Sequence, residues 1–478
     1  MKSGFSKFKI GEEILKSIEG LGYNKPSEVQ EKVIPEILNN KDVIVKSQTG
    51  SGKTAAFGIP LCERIDWEEN SPQVLVLTPT RELAVQVSED ISNIGRFKRI
   101  KAVAVFGKES IMDQIRKLKQ KTHIVVGTPG RILDHIDRGS LNLARIKYFV
   151  IDEADEMLNM GFIDQVESVI KSLTNKKVTM LFSATMPDEI RELSEKYMNK
   201  PVDITIEKQK LIADNIEHYV CYMDYEKKLE SLNSILIHEK PETAVIFART
   251  QENVDKVFEF LKSKKYSTNK IHGGMLQKER LTTMESYRRG DFRLLVATDV
   301  ASRGIDIEGI THVINFDLPA EKEAYVHRIG RTGRAGAKGK AISFCVKEKD
   351  SLLNDIEELI GFKIPIYYIT GKEQIEEESI EILKSKPKRK KEKAKVINTN
   401  ITKIYLNGGK KKKIRPGDIV GAISQIEGIS ADDIGIIDVQ DSVSYVDIFN
   451  GKGNKVIEAL KNMTIKGKKI AVEKARSK

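Results

Sequence analysis

The sequence predicts an α/β protein: two tandem lobes, each on a parallel sheet, then a charged linker and a smaller α+β module. Three observations predict it. Strand-like runs alternate with helix-like segments twice over, as in parallel βαβ units covered on both faces. Residues 369–398 lose that pattern and become rich in Glu, Lys and Ser, a linker composition with a helical stretch at Glu376–Lys384. After Asn400 short apolar runs return in the order β-α-β-β-α-β, the ferredoxin-like arrangement.

In chain order, the first lobe, about residues 1–205, has strand runs at Val43–Val45, Val74–Leu77, Ile124–Val126, Phe149–Ile151 and Met180–Phe182. The second, about 210–368, has them at Ala244–Phe247, Leu294–Ala297, Val313–Phe316 and Ala341–Cys345. In the module at 399–478, strands are expected at Lys403–Leu406, Ile434–Val439, Ser444–Phe449 and Lys469–Val472, with helices at Ile419–Ile426 and Lys455–Leu460. A chain of 478 residues accommodates three such domains.

Composition excludes several classes. Cys62, Cys221 and Cys345 are far apart and show neither disulfide nor metal-ligand spacing, which fits buried thiols in a reducing compartment. The seven histidines form no metal-binding cluster, so no structural metal is expected. Met1–Glu13 has no apolar signal core and the chain no long apolar span, so a cytoplasmic protein away from membranes is expected. The net charge of +11 is uneven. Lys384–Lys395 contributes +7 and residues 399–478 contribute +6, leaving about −2 for residues 1–383 by difference. The field that attracts nucleic acid therefore belongs to the tail.

Two motifs carry chemistry. Ser47-Gln48-Thr49-Gly50-Ser51-Gly52-Lys53-Thr54 follows the strand run Val43–Val45 and precedes helix-like Ala55-Ala56-Phe57. Strand, glycine turn, Lys-Thr and helix make a phosphate-binding loop. Backbone N–H groups point at phosphate oxygens, Lys53 adds charge, and the Thr54 hydroxyl ligates Mg²⁺. Ser47 stands where the strict pattern has its first glycine. The second motif, Asp152-Glu153-Ala154-Asp155, ends the buried strand run Lys147–Ile151. Carboxylates there face the crevice where α/β sheets bind ligands. Asp152 is placed to hold Mg²⁺ through water, and Glu153 to deprotonate the attacking water. Together the motifs imply nucleoside triphosphate hydrolysis.

With Pro79-Thr-Arg-Glu-Leu-Ala84, Thr128-Pro-Gly-Arg131, Ser183-Ala-Thr185, Ala297–Asp306 and His327–Arg334, they form an ordered set that resembles the DEAD-box RNA helicases over about three-quarters of the chain. The resemblance implies two RecA-like lobes with ATP and Mg²⁺ in the cleft between them. It makes Lys53, Thr54, Asp152, Glu153, Arg331 and Arg334 the catalytic set, with both arginines on the γ-phosphate and on one face if helical. Gly22–Gln30 resembles the family's Q motif, so Gln30, with Lys25 nearby, reads adenine through its paired donor and acceptor. Phe5 occupies the family's isolated aromatic position, as base-stacking ring or as hydrophobic anchor. Gly304 and Asp306 complete the nucleotide site, Asp306 on the ribose hydroxyl. Ser183, Thr185 and His327 link the nucleotide site to the RNA site. RNA contacts, all to the backbone, fall to Pro79, Thr80, Arg81, Thr128, Gly130, Arg131, Arg249, Gly273, Arg280 and Thr298. Gly107-Lys108 departs from the family's Gly-Gly, with Lys108 either on phosphate or in solvent.

Lys403–Arg415 and Val439–Lys478 resemble the C-terminal RNA-recognition-like domain of the DbpA-type subfamily, bacterial helicases directed to a hairpin in the peptidyl-transferase region of 23S rRNA. The usual basic-Gly-aromatic signature of the third strand is missing. Tyr405, Tyr445 and Phe449 form either a reduced stacking platform, or core, with RNA along Lys410, Lys411, Lys412, Lys413, Arg415 and the Lys-rich C-terminus. Sheet aromatics more often pack than stack, which favours the second. The expectation is a monomeric ATP-dependent RNA helicase acting on 23S rRNA in large-subunit assembly, not on DNA. The alternative is an ATP-gated RNA clamp or annealing chaperone.

Overall fold

The computed structural model describes residues 4–47, 50–206, 215–299, 309–333, 337–346, 350–368, 377–388 and 401–475. These fall into two compact bodies, one of residues 1–47, 52–205 and 392–478, the other of residues 48–51 and 206–391. Each is described on its own.

The first lobe is a seven-stranded parallel sheet of β1 (Val43–Lys46), β2 (Val74–Leu77), β3 (Ala102–Val105), β4 (Ile124–Gly127), β5 (Tyr148–Ile151), β6 (Val178–Ser183) and β7 (Val202–Thr205). Their order is β3-β4-β2-β5-β6-β1-β7. β2, β4 and β5 are buried along their whole length, as strands covered by helices on both faces must be. Because every pairing is parallel, all seven carboxyl ends lie along one edge. Strand order then decides which loops are neighbours there.

The second lobe has β8 (Ile216–Tyr222), β9 (Ala244–Phe247), β10 (Thr268–Ile271), β11 (Leu294–Ala297), β12 (His312–Asn315) and β13 (Gly339–Cys345). They too are all parallel, in the order β10-β11-β9-β12-β13-β8. The expected strands are present in both lobes, and the four that periodicity did not expose (β3, β7, β8 and β10) are the two edges of each sheet. An edge strand is covered less completely, so the apolar run is broken in β7, β8 and β10, while β3, Ala-Val-Ala-Val, is apolar but only alternately buried. β10, Thr-Asn-Lys-Ile, buries only its last residue.

The stretch expected to be linker holds a folded piece of this lobe. Helix Glu377–Lys384 buries Leu383 completely in the cluster of Leu232, Ile235 and Leu236. Arg293 closes the end of that helix, donating to Ser385 O at 3.3 Å and Ser385 Oγ at 3.1 Å. Composition missed this because one leucine and a distant arginine make the anchor.

The C-terminal module is an antiparallel sheet of β14 (Thr402–Leu406), β15 (Ile434–Val439) and β16 (Ser444–Ile448), a short ribbon β17 (Thr464–Ile465) with β18 (Lys468–Lys469), and β19 (Val472–Lys474). The sheet order is β15-β16-β14-β19. Helices Pro416–Ser424 and Gly453–Asn462 cover one face, over an aliphatic core that includes Ile404, Ile423, Val446 and Leu460. The other face reaches the turn after helix Arg81–Ile94. There Phe97 meets Phe449 edge-on at 5.0 Å, Arg99 donates to Ile434 O at 2.9 Å, and Lys101 pairs with Asp438 at 3.2 Å.

Candidate nucleotide and nucleic-acid sites

β5, β6 and β1 are adjacent, so their carboxyl ends bring Asp152, Ser183 and Ser47 side by side. The turn from β1 into helix Lys53–Arg64 needs its glycines. Gly50 and Gly52 have φ of +79° and +95°, and a Cβ on Gly52 would lie 2.6 Å from Gln30 Nε2. Gln30 is buried because its amide joins two elements. Its Oε1 accepts from Ser27 N–H at 2.9 Å, capping its own helix, and its Nε2 donates to the Gly52 carbonyl at 3.2 Å. Lys53 is buried and donates to Ser47 O at 3.4 Å, while Thr54 is half-buried at the helix start. Lys25 is exposed.

Asp152 is 3 % exposed, and its Oδ1 has no hydrogen-bond partner among the described residues. Burial pushes its carboxyl up from the ordinary range, with the charge of Lys53 working against the rise. A buried carboxylate with an orphaned oxygen beside a lysine and a helix N-terminus fits a hydrated cation carrying phosphate. Glu153 follows with φ +55° and ψ 54°, a left-handed backbone that costs a non-glycine residue about 1–2 kcal/mol. That turn ends β5 and starts helix Ala154–Asn159.

Asp155 ties this loop to the end of β6. Its Oδ2 accepts from Ala184 N at 3.1 Å, Thr185 N at 2.8 Å and Thr185 Oγ1 at 3.0 Å, and its own N–H donates to Ser183 Oγ at 3.2 Å.

On the other side of β5, strands β2, β4 and β3 bring the second group of segments to the same edge. Pro79 and Thr80 are buried, and Thr80 caps helix Arg81–Ile94 by accepting from Leu83 N–H at 3.3 Å. Arg81 lies against Gly107, where a Cβ would sit 3.5 Å from Nη2. Thr128 is half-buried, Gly130 exposed, and Arg131 half-buried at the start of helix Pro129–Asp137. Lys108 is exposed with φ +60°, so the family's second glycine is replaced where the backbone is left-handed. Phe5 is fully buried, with Phe8 and Tyr23 at ring distances of 6.1 and 6.4 Å, which is the anchor arrangement.

In the second lobe Arg249 is exposed, Gly273 half-buried, and Arg280 and Thr298 buried. Arg249 Nη2 donates to Leu318 O at 2.9 Å. Helix Lys322–Ile329 carries His327, half-buried, but ends before Arg331. Arg331 therefore lies in the turn after the helix, with its N–H on Arg328 O at 3.1 Å, and not on a helical face as its spacing from Arg334 suggested. The helix stops because Gly330 and Gly333, the latter at φ +67°, turn the chain towards β13. Gln48, Thr49, Gly304, Asp306 and Arg334 lie outside the described residues.

Arg328 was missed by sequence reading. It is 2 % exposed, grips Asp299 through Nε at 2.5 Å and Nη2 at 2.7 Å, and donates to Asn315 Oδ1 at 3.0 Å. The signal was available, since Asp299 and Arg328 both sit inside motifs. Burial of the pair was not.

In the C-terminal module Lys410, Lys411 and Lys412 form a single turn and Lys413 follows, all exposed with Arg415. The turn is fixed from behind: Lys410 and Lys411 N–H donate to Gln440 O and Asp441 O, both at 2.8 Å. A Cβ on Gly409 would lie 2.2 Å from Gln440 O. The Lys-rich C-terminus joins it through Lys466 and Lys468, whose Nζ groups reach Lys413 O at 3.0 Å and Lys412 O at 2.7 Å. The three rings divide. Phe449 is buried on Phe97, whereas Tyr405 and Tyr445 are half-buried, 5.8 Å apart, on an open concavity, and neither joins the aliphatic core.

The sequence matches the families described as DEAD/DEAH box helicase over residues 27–193, helicase conserved C-terminal domain over 227–336 and DbpA RNA binding domain over 403–474. It is 56% identical over 476 residues to the ATP-dependent RNA helicase DbpA of Bacillus subtilis (strain 168), covering 99% of each chain. It is 45% identical over 353 residues to the DEAD-box ATP-dependent RNA helicase CshA of Geobacillus kaustophilus, covering 74% of this chain and 76% of that one. Among solved structures it is similar to S. cerevisiae Dbp5 bound to RNA and ADP BeF3, with 32% identity and a TM-score of 0.71 over 80% of this chain and 100% of that one.

Proposed function

This chain belongs to the DbpA-type DEAD-box ATP-dependent RNA helicases, and on that premise we propose that it unwinds short duplexes around the peptidyl-transferase-region hairpin of 23S rRNA during large-subunit assembly. It acts as a cytoplasmic monomer. No helix among the described residues is long and apolar enough to cross a membrane.

The observation that carries the rRNA reading is the cluster of Lys410, Lys411, Lys412, Lys413, Lys466 and Lys468 with Arg415, on a module of charge +6 attached to a motor of about −2. A motor that touches only backbone does not choose a site, so the choice falls to the attached module, whose lysines supply phosphate affinity.

On this reading Lys53 and the loop amides hold the phosphates, and Gln30 reads adenine. Asp152, through water, and Thr54 would hold Mg²⁺, which neutralises phosphate charge when bound. Glu153 takes the proton of the attacking water, and Arg331 and Arg334 receive the charge that develops on the γ-phosphate. Asp155 passes the state of that site to Ser183 and Thr185. Pro79, Thr80, Arg81, Thr128, Gly130, Arg131, Arg249, Gly273, Arg280 and Thr298 hold the RNA backbone.

Crosslinking the full chain to total cellular RNA tests the address. Recovery of the peptidyl-transferase hairpin, abolished when the lysine cluster is neutralised, is expected, and recovery of RNA at random overturns it. Displacement of a labelled strand with ATP but not with a non-hydrolysable analogue separates unwinding from clamping.

A further inference from the structure

Gln114 lies in helix Ile111–Leu118, outside every motif, and is fully buried. Its side chain has two donors and two acceptor positions, and all four are used. Nε2 donates to Phe106 O at 2.9 Å and Glu109 Oε2 at 2.8 Å. Oε1 accepts from Arg131 Nη1 and His135 Nε2, both at 3.0 Å. The amide orientation is fixed chemically: Phe106 O only accepts and Arg131 only donates. His135, fully buried, therefore carries a proton on Nε2, and its Nδ1 lies 2.8 Å from Ser140 Oγ, which also donates to His135 O at 3.1 Å. Burial and the charge of Arg131 lower its pKa, which favours the neutral ring.

Two segments meet on this one side chain. Residues 106–109 contain Gly107, packed over Arg81, and the exposed Lys108. The other segment is Thr128–Arg131. Arg131 Nη1 is doubly held, by Gln114 and by Glu109 O at 3.1 Å, and its Nε faces Asp134 at 3.6 Å. Nη2 has no partner among the described residues and keeps both N–H groups for an incoming oxygen. A guanidinium anchored through one nitrogen presents the other in a fixed direction, which a point charge does not.

We propose that Gln114 is a positioning residue for RNA: it fixes the distance between the Gly107-Lys108 loop and the Arg131 guanidinium so that neighbouring phosphates of one strand meet both. This rests on the reading that Arg81, Thr128 and Arg131 hold the RNA backbone.

The full chain carrying Gln114→Met, close in size but without the amide, tests it. The half-saturating RNA concentration for ATPase stimulation should rise about tenfold, the scale of losing one charge-assisted hydrogen bond. KM for ATP without RNA should stay unchanged, as should kcat at saturating RNA. In the double variant with Arg131→Ala, the effect of Gln114→Met should vanish. A lower melting temperature with unchanged RNA half-saturation overturns the proposal, as do additive effects. If Gln114→Met does not fold, Arg131→Lys decides, because it keeps the charge at a partly exposed position but loses the fork. Retention of full RNA affinity by Arg131→Lys means that charge suffices and nothing needs positioning. The underlying reading fails separately, when Arg131→Ala itself leaves RNA half-saturation unchanged.

Discussion

Thr185 donates both its backbone N–H, at 2.8 Å, and its hydroxyl, at 3.0 Å, to the same carboxylate oxygen of Asp155. Asp155 is two residues past the strained Glu153, and Thr185 is two residues past the end of β6, the strand between β5 and β1. Thr185→Val keeps the N–H bond and removes the hydroxyl, a loss of about 1.5–3 kcal/mol for a bond to a charged group. ATP affinity should be unchanged while duplex displacement per ATP hydrolysed falls at least about tenfold. Parallel measurement of both rates checks it, and an unchanged ratio removes the pair from coupling.

Glu153→Gln is expected to retain ATP and RNA binding but to lower hydrolysis by at least ~10²-fold, the scale of removing a positioned base. Single-turnover hydrolysis is the measurement, and a normal rate excludes this residue as the base.

Gln30→Ala removes the acceptor for Ser27 N–H and the donor to Gly52 O together. It should weaken ATP relative to GTP by about 1–3 kcal/mol, through an adenine edge left unpaired. Because the same amide braces the phosphate loop, binding of both triphosphates should also weaken. Affinities for the two nucleotides, measured side by side, separate the effects, and unchanged discrimination means that adenine is read elsewhere.

Truncation after residue 388 should leave a stable ATPase that any RNA stimulates weakly. Truncation after residue 370 should not, because it removes fully buried Leu383 and the Ser385 partner of Arg293. Its second lobe should lose about 2–5 kcal/mol, the range for deleting a large buried aliphatic side chain. Melting temperatures of the two truncations decide. In the full chain, neutralising Lys410–Lys413 should reduce the salt dependence of rRNA binding by roughly 0.7–0.9 of a log unit for each phosphate that is no longer neutralised.

His218 is buried against Tyr325, 3.0 Å from its hydroxyl, and burial pulls its pKa from 6.5 down to about 4. The unfolded chain therefore binds more protons between those values. The resulting stabilisation is full above 6.5 and is lost as pH falls through about 4, amounting to about 3 kcal/mol. His218→Phe should flatten that part of the stability curve. An unchanged slope between pH 6.5 and 4 assigns the acid sensitivity to carboxylates.

The chemistry of both nucleotide motifs, the strands at the centre of each sheet and the β-α-β-β-α-β order of the tail were determined by the sequence itself. Each is a local signal: Gly50, Gly52 and Lys53 are contiguous or nearly so, and the fully covered strands are unbroken apolar runs. Tertiary structure decided what depends on separated residues. Edge strands β7, β8 and β10 are broken apolar runs whose hydrogen bonds a neighbour supplies, and β3, Ala-Val-Ala-Val, is apolar but only alternately buried. Leu383 became core because Arg293 and Leu232 were there to receive it, and Arg331 left its helix because Gly330 ended it. Phe449 parted from Tyr405 and Tyr445 although all three share a sheet face, since only Phe449 met Phe97. Gln114 looks like any polar residue of an amphipathic helix. Its four hydrogen bonds reach 5 to 21 residues away, a distance over which sequence pattern carries no information and only folding brings partners together.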